Sequence, residues 1–244
     1  MAKSSQDLIR ALWPLPGGNK HYLDTLDRIV KWAASVTDLT RDAFNEWLIA
    51  EYNVGKGTVS GYRQVVTGLG VLESHRDGKL SLTQFGQQIL EAEGVTKAGL
   101  VIERFMNTFL AFPEVLAVYA QAGEPIHLKS MVEILQPQFP RWTSDAQFEY
   151  RALWLLSLGC LEQQQGRYYV ITDLGKAVAA QFPATIETQP IVSPEPEITP
   201  SESATPSPTE TLEVSHLIAD LEQAATDSQN PEHLERAVAE AFEY

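Results

Sequence analysis

Leu69-Gly70-Val71-Leu72-Glu73 and Leu158-Gly159-Cys160-Leu161-Glu162 are two settings of one short phrase, and the register between them holds downstream. Leu82-Thr83 followed by Gly86 matches Ile171-Thr172 followed by Gly175 at the same offset. A repeat of this length reports a duplicated supersecondary module, and the flanking residues say which. Thr40 to Tyr52 carries Phe44, Trp47 and Leu48, and Thr58 to Leu69 carries Tyr62, Val65, Val66 and Leu69, the i, i+3, i+4, i+7 face of a helix. Val71-Leu72-Glu73 and Leu80-Ser81-Leu82 then alternate about His75-Arg76-Asp77-Gly78-Lys79, and Asp-Gly between alternating runs marks a hairpin. Thr83 opens a further helix through Leu90 with its hydroxyl as N-cap. The second copy repeats the order with Leu128 to Leu135, Ser144 to Ser157, a hairpin turning at Gln165-Gly166, and a helix from Thr172. The expected fold is mainly α with short β-hairpins, built as two tandem winged helix-turn-helix units.

Outward from the repeat, a pair of N-terminal helices is expected around Leu8 to Trp13 and Tyr22 to Ala34, broken by Pro14-Leu15-Pro16-Gly17-Gly18. Helices from about Thr96 to Ala122, interrupted at Phe112-Pro113, join the two units. Residues 187–212 are dominated by Pro, Ser, Thr and Glu, too poor in large apolar groups to offset the entropy of ordering them. This stretch reads as a disordered, semi-stiff linker. Beyond it, Val214 to Ala225 and Pro231 to Phe242 read as short helices, the second with Leu234, Ala237, Val238, Ala241 and Phe242 on one face. The domain boundaries that follow are 1–95, N-terminal helices plus first unit; 96–183, connecting helices plus second unit; 184–213, linker; and 214–244, the helical start of a C-terminal domain cut off at Tyr244.

The chain has 244 residues, 44 % of them hydrophobic, enough for two cored units. Its net charge of −14 is unevenly placed: residues 1–186 carry 17 Lys+Arg against 19 Asp+Glu, and residues 187–244 carry 1 against 13. The acidity belongs to the tail, and the nearly neutral remainder leaves room for a local basic face. The single cysteine, Cys160, excludes an intrachain disulfide and reads as a buried small residue. With no signal segment and no apolar run of membrane-spanning length, a cytoplasmic location away from membranes is expected.

Motifs for chemistry are thin. The one Asp/Glu-x-Lys, Asp77-Gly78-Lys79, falls at a hairpin tip without a second acid, and no Pro-Asp dipeptide occurs. His21, His75, His127, His216 and His233 show no i, i+4 pairing, which argues against zinc. Val54-Gly55-Lys56-Gly57-Thr58 lacks the upstream glycine and strand of a phosphate loop, so Gly57 and Thr58 read as a helix cap.

In a helix-turn-helix the second helix reads base edges from its exposed face, while flanking residues and the hairpin hold phosphates. In the first copy the residues off the apolar stripe are Ser60, Arg63, Gln64 and Thr67, with Lys56 and Thr58 at the helix entry and Arg76 and Lys79 on the hairpin. Arg63 suits guanine O6/N7 and Gln64 adenine N6/N7, so double-stranded DNA is the expected partner of this face. The aligned positions of the second copy are Glu149, Ala152, Leu153 and Leu156, wrong for DNA and apolar nearly all round. That helix is expected to be buried, against the first unit or against a second subunit in a homodimer. Lys129, Arg141 and Arg167 are its weaker DNA candidates. Winged helices also serve as protein-interaction modules, so a non-catalytic regulator or scaffold is the alternative.

The pattern Gly61-Tyr62, Leu69-Gly70-Val71-Leu72 and Leu82-Thr83-x-x-Gly86, with Tyr150-Arg151-x-x-Trp154-Leu155-x-x-Leu158-Gly159, resembles the tandem winged-helix region of bacterial restriction-endonuclease-like proteins. Asn230-Pro231-Glu232-x-Leu234-Glu235-x-Ala237-Val238-x-x-Ala241-Phe242 resembles the first helix of the PD-(D/E)xK nuclease domain that follows such regions. The resemblance implies the duplex-recognition region of a restriction-type endonuclease, with a role in restriction-modification defence. It places metal-dependent cleavage, with a divalent ion such as Mg, in a nuclease core beyond Tyr244. No cofactor and no catalytic residue are assigned to the residues present.

Overall fold

A computed structural model describes residues 8–184 and 186; the expected linker and the two C-terminal helices lie outside the described residues. The described chain is mainly helical with two small antiparallel sheets, and its elements fall into two matching series. The first runs α1 (Tyr22–Ser35), α2 (Arg41–Tyr52), α3 (Lys56–Gly68), β1 (Leu72–Ser74), β2 (Leu80–Leu82) and α4 (Gln84–Glu91). After a connecting helix, α5 (Gly94–Thr108), the second runs α6 (Phe112–Ala122), β3 (Ile126–His127), α7 (Leu128–Leu135), α8 (Ala146–Ser157), β4 (Leu161–Gln163), β5 (Tyr168–Ile171) and α9 (Asp173–Gln181). Each series is a helix-turn-helix followed by a hairpin and a closing helix.

The repeated phrase earns its recurrence at the junction of helix, hairpin and closing helix. Gly70 and Gly159 take φ of +72° and +75°, the left-handed region that ends α3 and α8 cheaply only for glycine. Thr83 and Thr172 then work in two directions. Each hydroxyl accepts from the amide three residues on, Gly86 N and Gly175 N, both at 3.0 Å, which caps α4 and α9. Each also donates back to the carbonyl of the turn glycine, Gly70 or Gly159. A methyl group at Gly86 would strike the Val71 carbonyl oxygen, and one at Gly175 the Cys160 carbonyl oxygen. The closing helices therefore approach the hairpins more closely than any side chain permits.

The hairpins form as their turn residues require. β1 pairs with β2 in the register Leu72 with Leu82, and Gly78 at φ +86° closes the turn. In the second copy β5 lies between β4 and β3, and Gly166 at φ +64° turns the hairpin. The first copy has only a bridge between Thr40 and Lys79 where the second has β3.

Three expectations about elements need correction. Leu8 to Trp13 forms no helix: Ile9 accepts from Leu110 N and donates to Thr108 O at 3.0 and 2.9 Å, while the backbone of Arg10, Leu12 and Trp13 is met by Arg151, Gln147 and Trp154 of α8. Among the described residues only one helix, α1, stands before the α2–α3 pair, where two were expected. The break between α5 and α6 falls at Phe109–Ala111, ahead of Phe112-Pro113, with Ala111 in the left-handed region at φ +68° and Pro113 at the start of α6. The cap of α3 is Gly55; Gly57 and Thr58 lie within the first turn, where the Thr58 hydroxyl and amide both donate to Gly55 O.

The buried side chains form one continuous cluster through both copies. Its centre is aromatic: Phe105 of α5 lies 4.6 Å from both Phe112 and Trp154, ring centre to ring centre, and Tyr22 of α1 lies 5.1 Å from Trp154. α5 is tied to α1 by Lys97, a nearly buried ammonium paired with Asp27, which Lys31 also meets at 2.6 Å.

Candidate nucleic-acid interface

The decisive geometry is the fate of the two aligned helices α3 and α8. In α3, Val59, Gly61, Val65 and Val66 are buried, while Lys56, Thr58, Ser60 and Gln64 are exposed. The helix has no side-chain cap at its start. Arg63 and Thr67 flank the exposed stripe and are half-buried. Arg63 Nη1 donates to Asn45 Oδ1 of α2 at 2.8 Å, and the Thr67 hydroxyl donates to the Arg63 carbonyl at 3.0 Å. On the β1–β2 hairpin Arg76 and Lys79 are exposed, and Lys79 reaches Asp38 at 3.5 Å. The eight residues singled out in the first copy thus belong to one helix and the hairpin after it, with Arg63, Thr67 and Lys79 already partnered inside the fold.

Several residues that shape this face carry no signal of their own in the sequence. Asn45 holds Arg63. Arg41 anchors the hairpin, its amide donating to Gly78 O at 3.0 Å and its Nη2 to His75 O at 3.2 Å. Trp13 presses on α3 at Gly61, where a Cβ would lie 2.5 Å from the indole. Gly61 in mid-helix was the available clue, since glycine there costs helix stability and marks a close approach.

α8 is the opposite case. Phe148, Arg151, Ala152, Leu153, Trp154, Leu155 and Leu156 are all buried. The cover comes from the same chain: Gln147 Oε1 accepts from Leu12 N at 2.9 Å, Trp154 Nε1 donates to Trp13 O at 3.1 Å, and Ser157 Oγ accepts from Leu23 N at 3.1 Å. Arg151 is wholly buried and donates to Leu110 O, Gln147 O and Arg10 O, with Trp142 stacked on its guanidinium at 4.3 Å. Burial pushes Arg151 down to about 9, still protonated at neutral pH. Burying α8 requires no second subunit. Of the weaker candidates, Arg167 is paired with Glu149 at 2.5 Å, Lys129 lies 3.9 Å from Glu133, and Arg141 is exposed on the loop before α8.

Burial also pushes the Cys160 thiol up to about 12, so it is no nucleophile near neutral pH. Among the described residues no group of three or more His, Cys, Asp or Glu is placed to hold a metal ion, and no helix is long and apolar enough to cross a membrane.

No family model and no curated protein matches the chain. Two solved structures share part of its backbone arrangement. One is the restriction endonuclease FokI, at 12 % identity and a TM-score of 0.45, over 71 % of this chain and 48 % of that one. The other is the BpuJ1 endonuclease binding domain, solved with pyrene- and phenanthrene-modified DNA, at 12 % identity and a TM-score of 0.43, over 76 % of this chain and 90 % of that one. The chain thus spans about half the length of the FokI chain.

Proposed function

We propose that this chain recognises duplex DNA through its first unit, acting as a winged helix. α3 enters the major groove, and Arg76 and Lys79 of the hairpin hold phosphates. The observation that supports the reading most is the asymmetry of the aligned helices: Lys56, Thr58, Ser60 and Gln64 are left open on α3, whereas α8 is sealed by the chain's own N-terminal segment. Polar, hydrogen-bonding side chains on an uncovered helix beside a cationic hairpin are what groove reading needs. Arg63 completes the set by exchanging Asn45 for a guanine edge, and Thr67 lies one turn on. The second unit supports the first, with Lys129, Arg141 and Arg167 as peripheral cations. In its fullest form the proposal makes the chain the recognition region of a cytoplasmic restriction-type endonuclease serving defence, whose divalent-metal chemistry belongs to residues outside those described.

A protein-interaction role is the second reading, favoured by the exposed acids Asp38, Asp42 and Glu46 on and before α2. Binding of random duplex at two salt concentrations separates the two. The DNA reading expects salt-dependent binding by the parent chain and a loss of about 1 to 3 kcal/mol for Arg63→Ala at a bidentate contact. No duplex binding at low salt would establish the protein-interaction reading instead, and an unaffected Arg63→Ala would overturn the orientation of α3.

A further inference from the structure

The β1–β2 hairpin carries Arg76 and Lys79, and one residue outside it holds the peptide units from which both spring. Arg41, the first residue of α2, donates its amide to Gly78 O at 3.0 Å and its Nη2 to His75 O at 3.2 Å. The His75 carbonyl belongs to the planar peptide unit that leads into Arg76, and the Gly78 carbonyl to the one that leads into Lys79. Bonds within the tip fix its shape, with His75 N donating to Lys79 O at 2.9 Å and Gly78 N to His75 O at 3.2 Å. Its place beside α2 is set from outside. Leu80 N, donating to Leu39 O at 2.9 Å, ties the β2 side a second time, whereas the β1 side of the tip is met by Arg41 Nη2.

Two further observations set Arg41 apart from an ordinary surface cation. Its Nε is buried without a hydrogen-bond partner among the described residues, an unfavourable state that a free arginine leaves by turning into water. It also makes no ion pair among the described residues, so its hold on the tip is through a neutral carbonyl. The second copy is built otherwise. The residue aligned with Arg41 is the exposed Ser130, and the hairpin there is joined by β3, with Ile126 opposite Tyr169 and His127 opposite Tyr168. A strand holds the second hairpin where a side chain helps to hold the first.

We infer that Arg41 is a positioning residue for Arg76: its guanidinium fixes the His75–Arg76 peptide, and so aims the Arg76 side chain at a phosphate beside the groove that α3 enters. The inference rests on the reading of the first unit as a winged helix on DNA. Arg76 itself is exposed and makes no ion pair among the described residues, so nothing but its root holds it in place. Fixing that root before DNA arrives removes ordering that binding would otherwise have to supply. Lys79 depends on Arg41 differently, because its peptide is held by the Arg41 amide, which every substitution except proline keeps.

The test is a double-mutant cycle on the full chain, read as affinity for a random-sequence duplex at several salt concentrations. Arg41→Ala should weaken binding by about three- to tenfold in the parent and by the same factor in Lys79→Ala. In Arg76→Ala it should change neither affinity nor salt slope. Arg41→Met, which keeps the aliphatic stem and removes the guanidinium, should repeat the cycle and guards against a hairpin that Arg41→Ala unfolds. An Arg41→Ala chain that binds as the parent does would overturn the inference. So would an equal loss in the Arg76→Ala background, because a direct phosphate contact or a general prop of the fold acts whether or not Arg76 is present. A slope lowered by about one in that background identifies the direct contact. No duplex binding by the parent overturns the DNA reading and this inference with it, whereas a parent that binds and is weakened by Arg76→Ala but not by Arg41→Ala overturns this inference alone.

Discussion

The two copies share a junction and differ in what they do with the helix that precedes it. Both end that helix on a left-handed glycine and cap the next with a threonine. Yet Gln64 on α3 is open to solvent and its aligned residue, Leu153 on α8, is buried. Duplication thus supplied two equivalent surfaces, and the N-terminal segment consumed one of them as core. One copy became the foundation, which left the other free to carry a polar face that contributes little to stability.

The sharpest way to break this comparison is to strip aligned side chains. Arg151→Ala should cost about 3 to 5 kcal/mol, because it strands three carbonyls and opens a void beneath Trp142. Leu153→Ala should cost about 2 to 5 kcal/mol as a buried truncation, and Gln64→Ala should stay within about 0.5 kcal/mol. Urea unfolding measures all three. Equal sensitivity of Gln64 and Leu153 would mean that α3 is covered in solution and the asymmetry is false.

A second contrast lies at the first helix of each copy. Asp27 on α1 aligns with the fully buried Leu116 on α6. Burial works to raise Asp27, but hydrogen bonds and charge from Lys31 and Lys97 prevail and hold its carboxyl below the ordinary value of 3.8. With the folded pKa below the unfolded one, the unfolded chain binds the extra proton, so stability rises with pH between the two values. The contribution is complete above about pH 4 and lost as pH falls through the folded value. Asp27→Asn should cost about 2 to 3 kcal/mol at neutral pH, since it leaves Lys97 nearly buried and unpaired, and should flatten the acid limb of the stability curve. An unchanged acid limb would assign the acid sensitivity elsewhere.

What the copies share is tested by Gly86→Ala and Gly175→Ala. Each places a methyl against a backbone carbonyl, and each should cost about 1 to 3 kcal/mol as overpacking. Matched losses in thermal unfolding would show that the junction is equally tight in both, and a tolerated Gly86→Ala would show a looser first hairpin.

The shared junction was legible because it is local: Asp77-Gly78, Gly70 and Thr83 act within a few residues of their own positions. The burial of α8 was legible as well, since Leu153-Trp154-Leu155-Leu156 leaves no polar face. What escaped is what depends on distant partners. Leu8 to Trp13 has helical spacing, yet its backbone is taken up by the α5–α6 junction at Ile9 and by Arg151, Gln147 and Trp154 of α8 at Arg10, Leu12 and Trp13, a hundred residues and more away in sequence. Arg63 reads as a free recognition side chain until Asn45, eighteen residues upstream, takes one of its donors.

The smallest expected effect is the one that most directly ties the comparison to function, and it concerns the two hairpins. Lys79 and Arg167 are the hairpin cations that carry an ion pair. Lys79 is more than half exposed and its partner Asp38 is 83 % exposed, so that ion pair is screened and readily given up. Arg167 meets Glu149 at 2.5 Å, and Glu149 is only 33 % exposed, so the contact is shorter and better shielded. If the first copy alone meets DNA, Lys79→Ala should weaken binding to all duplex sequences alike and lower the salt slope by about one. Arg167→Ala should leave both affinity and slope as they are. Titrations at several salt concentrations resolve a change of one counterion. A reduced slope for Arg167→Ala would mean that the second hairpin also lies on the phosphates and the duplex spans both copies. An unchanged slope for Lys79→Ala would remove the first hairpin from the interface and leave α3 to bind through its helix face alone.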